Sequence, residues 1–168
     1  MRIVRRTALA LALGATSLFA LSPVWADTTV AVSLWDKGDA SMDMLGTGEP
    51  MGMAMSTMAD MSMAMLGITA SMTEIPAGVV TFEATNDSKG MIHEMVLAPI
   101  ADTTTPMPYD ADNEKVDEDA AGHIGEVAEL DPGASGALTV TLEPGSYILY
   151  CNIPGHYVLG MWTVVTVK

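Results

Sequence analysis

Cys151, His156 and Met161 recur at five-residue steps in Tyr150-Cys151-Asn152-Ile153-Pro154-Gly155-His156-Tyr157-Val158-Leu159-Gly160-Met161, close to the C-terminal end of the chain. A thiol, an imidazole and a thioether are soft donors, and together they make a soft metal site. Neither a straight helix nor a straight strand brings side chains at that spacing to one point, but a loop does. Ser146 to Cys151 alternates like a strand, Trp162 to Val167 reads as a second β-rich run, and Pro154-Gly155 bends the chain between them. The missing partner is an imidazole from elsewhere.

His93 is the donor the sequence offers. In Met91-Ile92-His93-Glu94-Met95-Val96-Leu97 it falls on the same alternating face as Met91, Met95 and Leu97. Two His, one Cys and a weak axial Met form the ligand set of blue-copper electron-transfer sites. A buried core histidine, a packing methionine and a small apolar cysteine would each be the bland reading of one residue alone. The ordered spacing between two strands favours the metal. His123, after Gly122, has no companion at ligand spacing and is left out of the site.

The sequence resembles the cupredoxin family, the small exported plastocyanin, azurin and rusticyanin-like copper proteins. The resemblance lies in Gly145-Ser146-Tyr147-Ile148-Leu149-Tyr150-Cys151, in Pro154-Gly155-His156, in Gly160-Met161, and in His93 following a strand that ends at Asn86. It implies His93, Cys151, His156 and Met161 as ligands of one Cu(I)/Cu(II) ion. It also implies exit of the electron through an apolar patch around His156; Tyr150, pointing opposite to Cys151 on its strand, offers a second exit. Where the family often has Asn after its first His ligand, this chain has Glu94.

The elements that must position these ligands are short. Runs at Thr28 to Trp35, Leu66 to Met72, Val79 to Ala84, the His93 segment, Ala137 to Leu142, Ser146 to Cys151 and Trp162 to Val167 are separated by turn signals such as Asn86-Asp87-Ser88-Lys89-Gly90, Asp131-Pro132-Gly133 and Glu143-Pro144-Gly145. They predict an all-β, Greek-key β-sandwich of about seven or eight strands, which is also the cupredoxin-like fold. Two inserts interrupt it. Met42 to Met72 holds 10 of the 15 Met residues, with Met-x-Met steps at Met51-Gly52-Met53-Ala54-Met55 and Met61-Ser62-Met63-Ala64-Met65. Thioethers select Cu(I), so an extra Cu(I) site is one reading, and flexible packing over the core is the other. Ala101 to Gly122 is acidic, with Lys115 its only cation, and reads as a solvated loop or as a docking patch for a basic redox partner such as a cytochrome or oxidase.

The amino end, Met1-Arg2-Ile3-Val4-Arg5-Arg6, is basic, Thr7 to Leu21 is apolar, and Val24-Trp25-Ala26 offers small residues for cleavage. Residues 1–26 read as a signal peptide and 27–168 as a single copper-binding domain, placed in the periplasm. The apolar run is too short to span a bilayer, so no stable membrane insertion is expected after its removal. The first 26 residues hold three arginines and no acid, so cleavage takes the formal charge from −14 to −17. That charge disfavours nucleic acid as a partner. One Cys excludes an internal disulfide and a two-cysteine dinuclear copper centre, and the absence of any His-x-His pair argues against a multicopper oxidase. The sequence thus points to a monomeric electron carrier rather than an enzyme, with a copper storage or chaperone protein as the alternative.

Overall fold

The structure is a computed structural model that describes residues 27–57 and 59–168. The expected signal peptide lies outside the described residues. The strands are β1 Thr28–Asp36, β2 Leu66–Ala70, β3 Glu74–Ile75, β4 Gly78–Asn86, β5 His93–Ile100, β6 Tyr109–Asp110, β7 Lys115–Val116, β8 Gly125–Leu130, β9 Ser135–Leu142, β10 Gly145–Tyr150 and β11 Trp162–Val167. Three of the eleven are two-residue pieces, which leaves eight of ordinary length, as the turn spacing predicts. One sheet runs β2-β1-β4-β9 and the other β3-β11-β10-β5-β8, a Greek-key sandwich. A separate ribbon, β6-β7, lies in the acidic segment.

Period-two alternation explains the first sheet. Val30, Val32 and Leu34 of β1 and Val80, Phe82 and Ala84 of β4 are buried, with more accessible residues between them on the opposite face. The second sheet departs from that pattern at its centre, where β5 and β10 are buried on both faces. Met95, Leu97, Tyr147, Leu149 and Cys151 belong to the core between the sheets. Val96, Ala98, Ile148 and Tyr150 point the other way, into a second apolar cluster closed by Met53, Met107, Val116 and Tyr157. Unbroken apolar runs such as Met95 to Ala98 are the signature of strands covered on both sides.

Besides Tyr157, the cover comes from the two segments read as inserts, Met42 to Met72 with Met53 and Ala101 to Gly122 with Met107 and Val116. Residues 37–65 contribute the 3-10 turns Asp39–Met44 and Met61–Met63, and residues 101–124 contribute β6, β7 and the short helix α1, Glu118–Ala121. The acidic segment is therefore not simply a solvated loop: Asp102, Asp110, Asp112, Asp117 and Asp119 are exposed, but Met107 and Val116 are core residues. Among the described residues no helix is long and apolar enough to cross a membrane.

Candidate metal centre

The ligand loop folds as its flanking strands demand. Cys151 N donates to Met161 O at 3.0 Å and Met161 N donates to His156 O at 3.1 Å, so the loop is pinched at its neck where β10 pairs with β11. Inside it, His156 N donates to Ile153 O at 3.0 Å and Gly160 N to Tyr157 O at 3.0 Å. Two residues hold left-handed backbone, Gly155 at φ +80° and Gly160 at φ +99°, a conformation that side chains with a Cβ resist. A Cβ on Gly155 would also stand 3.0 Å from Leu45, and one on Gly160 3.1 Å from Ala64, so the 37–65 segment lies directly on the loop.

Cys151 and both imidazoles meet in one buried place. Their ligand atoms all lie within 4.8 Å of one another: Cys151 Sγ is 3.3 Å from His156 Nδ1, which is 3.2 Å from His93 Nδ1. His93 is 0% exposed and His156 3%. Met161 is fully buried in the same core cluster as Cys151. His93 reaches this point from the start of β5, opposite Leu130, where β8 carries one extra residue against β5 between Val127 and Leu130. A bulge of this kind re-aims a side chain beside a functional site.

The approach to His93 is fixed by buried polar groups. Asn86 Nδ2 donates to Met91 O at 2.9 Å and Leu130 O at 2.7 Å, while its Oδ1 accepts from Ser88 N. Ser88 Oγ accepts in turn from Gly90 N and Met91 N. On the far side of the His93 ring, Nε2 lies 3.0 Å from Asp36 Oδ2. Asp36 also accepts from Gly38 N at 2.7 Å. Burial works to raise the Asp36 pKa, but Ser88, His93 and the Gly38 amide outweigh it and hold the carboxyl below its ordinary range. With Nε2–H donating a hydrogen bond to the Asp36 carboxylate, neutral His93 presents a bare Nδ1 to the cluster.

Electrostatics leave the donors uncharged until something replaces their protons. Burial pushes the Cys151 thiol up to about 12, and burial together with the neighbouring His93 pulls His156 down to about 4. His93 is likewise lowered by burial, against the opposing pull of Asp36. Two neutral imidazoles with facing nitrogens and a protonated thiol, dry and within reach of one ion, fit a soft transition metal that binds as the thiol proton leaves.

Several residues stand differently from the sequence reading. Glu94, in place of the family's Asn, does tie the ligand segments together: Asn152 N donates to Glu94 Oε1 at 3.1 Å, and Glu94 N lies 3.5 Å from Cys151 Sγ. Tyr150 is 0% exposed under Tyr157, with ring centroids 6.0 Å apart, so it is not a surface exit. His123 does have companions, since Glu118 and Glu126 come within ligand distance of it, but this is an open surface group. Asp36 was missed altogether; an acid closing a strand gives no sign of a partner 57 positions away. Asn152 was missed too. It accepts from Val116 N at 2.7 Å and donates to Val116 O and Glu118 Oε1, and Gly155 N donates to Glu114 O, clamping the acidic segment to the ligand loop.

Comparison with known proteins agrees with this architecture. Residues 53–168 match the family of copper binding proteins described as the plastocyanin/azurin family. The chain belongs to that family, the cupredoxins. Among solved structures, rusticyanin from Thiobacillus ferrooxidans is 17% identical over 84% of this chain and 77% of its own, with a TM-score of 0.52. A reduced rusticyanin is 19% identical over 84% and 79%, also at 0.52. Auracyanin from the photosynthetic bacterium Roseiflexus castenholzii is 20% identical over 84% of this chain and 96% of that one, with a TM-score of 0.44. At these identities the rusticyanin likeness bears on the fold alone. No curated protein matched the sequence.

Proposed function

We propose that the chain is an exported, periplasmic type 1 copper protein whose domain, residues 27–168, shuttles single electrons between partner proteins. The observation that carries this reading is the convergence of Cys151 Sγ, His93 Nδ1 and His156 Nδ1 in a buried pocket of a cupredoxin sandwich. Cys151 would hold the ion as thiolate, His93 and His156 through their Nδ1 atoms, and Met161 as the weak axial thioether. Copper, when bound, supplies the one-electron Cu(II)/Cu(I) couple.

The residues around the donors do the rest. Strands covered on both faces and a pinched loop hold one donor arrangement for both oxidation states, and the dry surroundings exclude water and competing ligands. This reading leaves no open position for substrate, so the protein is a carrier rather than an enzyme. A hollow of about 430 Å³ beside the loop is lined by Leu45, Val158 and Leu159 together with Glu49 and Glu114. A lining that mixes apolar and acidic side chains suits a monomeric carrier that docks a basic cytochrome or oxidase.

The test is to load the full chain with Cu(II), titrate with reductant, and record visible absorption and EPR. One copper per chain with an intense band that bleaches reversibly supports the carrier. Colourless uptake of several Cu(I) ions without that band would instead support a storage or chaperone protein, the reading that the exposed methionines favour.

A further inference from the structure

Methionines of the 37–65 segment fall into two groups. Met53 is 1% exposed and fills the second core, whereas Met44 is 47% exposed and Met63 64%. Packing explains the first and not the others, since an exposed thioether buries little apolar surface. Met44 and Met63 instead line, with Met51 and Met65, a cavity of about 140 Å³. Residues two apart, such as Met63 and Met65, share one face of an extended segment. Here the turn Met61–Met63 and an extended Ala64, at φ −55° and ψ 135°, put both on the same cavity.

Two carboxylates complete the lining, Glu49 and Asp60. Asp60 Oδ1 is engaged by Ser62 N at 3.0 Å and Ser62 Oγ at 2.7 Å, and these bonds hold the group below its ordinary pKa, so it stays anionic. Glu49 Oε2 accepts from Ser56 Oγ at 3.0 Å. Soft, uncharged sulfur donors beside fixed negative charge favour a soft cation of low charge over Zn(II) or Mg(II). The cavity's remaining wall includes Leu159, in the turn between His156 and Met161.

The geometry points to a second metal site, in which Met44, Met51, Met63 and Met65 bind one soft monovalent d10 ion, Cu(I) or Ag(I), next to the ligand loop. The site is separate from the centre proposed above and does not depend on it. It turns the methionine steps from gap-filling into a holding place for monovalent copper at the surface of a copper protein.

The test uses Ag(I) as a redox-inert probe. Copper(II)-loaded full chain is titrated with Ag(I) and followed by native mass spectrometry and visible absorption. The expected result is one Ag(I) retained per chain with the visible spectrum unchanged, and loss of that ion in the Met44→Leu/Met63→Leu variant, whose exposed, volume-conserving changes leave the fold intact. A Cys151→Ser chain with 13C-labelled methionine methyls is expected to show Ag(I)-dependent shifts at Met44, Met51, Met63 and Met65. No retained Ag(I), undiminished uptake by the leucine variant, or shifts confined to other methionines overturns the proposal. A missing visible band counts against the blue centre alone and leaves the silver result readable.

Discussion

Asp36 Oδ2 stands 3.0 Å from His93 Nε2, while Nδ1 of the same ring stands 3.2 Å from His156 Nδ1, so one imidazole joins a buried carboxylate to the donor cluster. The Asp36 side chain is 2% exposed. A carboxylate there fixes the ring's orientation and tautomer and makes its free nitrogen a stronger donor, and it favours the more highly charged ion. Asp36→Asn keeps the size and removes the charge. Cu(II) affinity is expected to fall by about 10–100-fold, as for other partners of metal-binding histidines. Cu(I) affinity should fall less, so the midpoint potential rises by about 59 mV for each tenfold difference. Competition titration and spectroelectrochemistry check this, and a midpoint that stays or drops counts against it.

Glu94 gives the metal-free protein a pH dependence. Burial, and then Glu126, push it from an ordinary 4.5 to about 7. Below the unfolded value both states are protonated and no penalty exists. Between 4.5 and 7 the unfolded chain releases its proton first, so stability falls as pH rises and the full penalty is reached above 7. Glu94→Gln keeps an acceptor for Asn152 N. The variant is expected to match the parent at pH ~4 and to exceed it at pH ~8 by roughly 1–3 kcal/mol, allowing for solvent screening. Urea unfolding of metal-free protein at both values measures it.

Asn152→Ala opens the clamp between the ligand loop and the acidic segment. The N–H and C=O of buried Val116 both lose their partner on Asn152. The expected cost is about 1–3 kcal/mol, the range for orphaned buried polar groups. Faster hydrogen exchange should appear first at the Val116 amide, and unchanged exchange there would refute the clamp.

Charge on the acidic segment is expected to set association rate rather than the properties of the metal centre. Asp112→Asn with Asp119→Asn removes two exposed charges from it. Electron transfer with a basic cytochrome should slow at low salt. The difference should vanish near 1 M salt, where the screening length is about 3 Å. Stopped-flow rates across an ionic-strength series decide it, and the midpoint should not move.

The strands and the proposed donors could be read from the chain because their signals are local. Alternation at Thr28 to Trp35 or Trp162 to Val167 depends only on neighbours, and Cys151, His156 and Met161 share one loop. What escaped reading is long-range. The bond between Asp36 and His93, the Asn152 clamp and the burial of Tyr150 under Tyr157 and Met53 each join segments whose proximity is set by the sheet order. Composition also misled: the charge of Ala101 to Gly122 concealed that Met107 and Val116 close a second apolar layer.

Spacing along the chain has a temporal consequence. Asp36 closes the first strand, His93 opens the fifth, and Cys151 to Met161 precede only the last, β11. A polypeptide that emerges amino end first therefore has no complete donor set until the 151–161 loop, after β10, is free. On the function proposed above, copper would bind only once most of the strands are available to fold, a late lock on a shell already largely built.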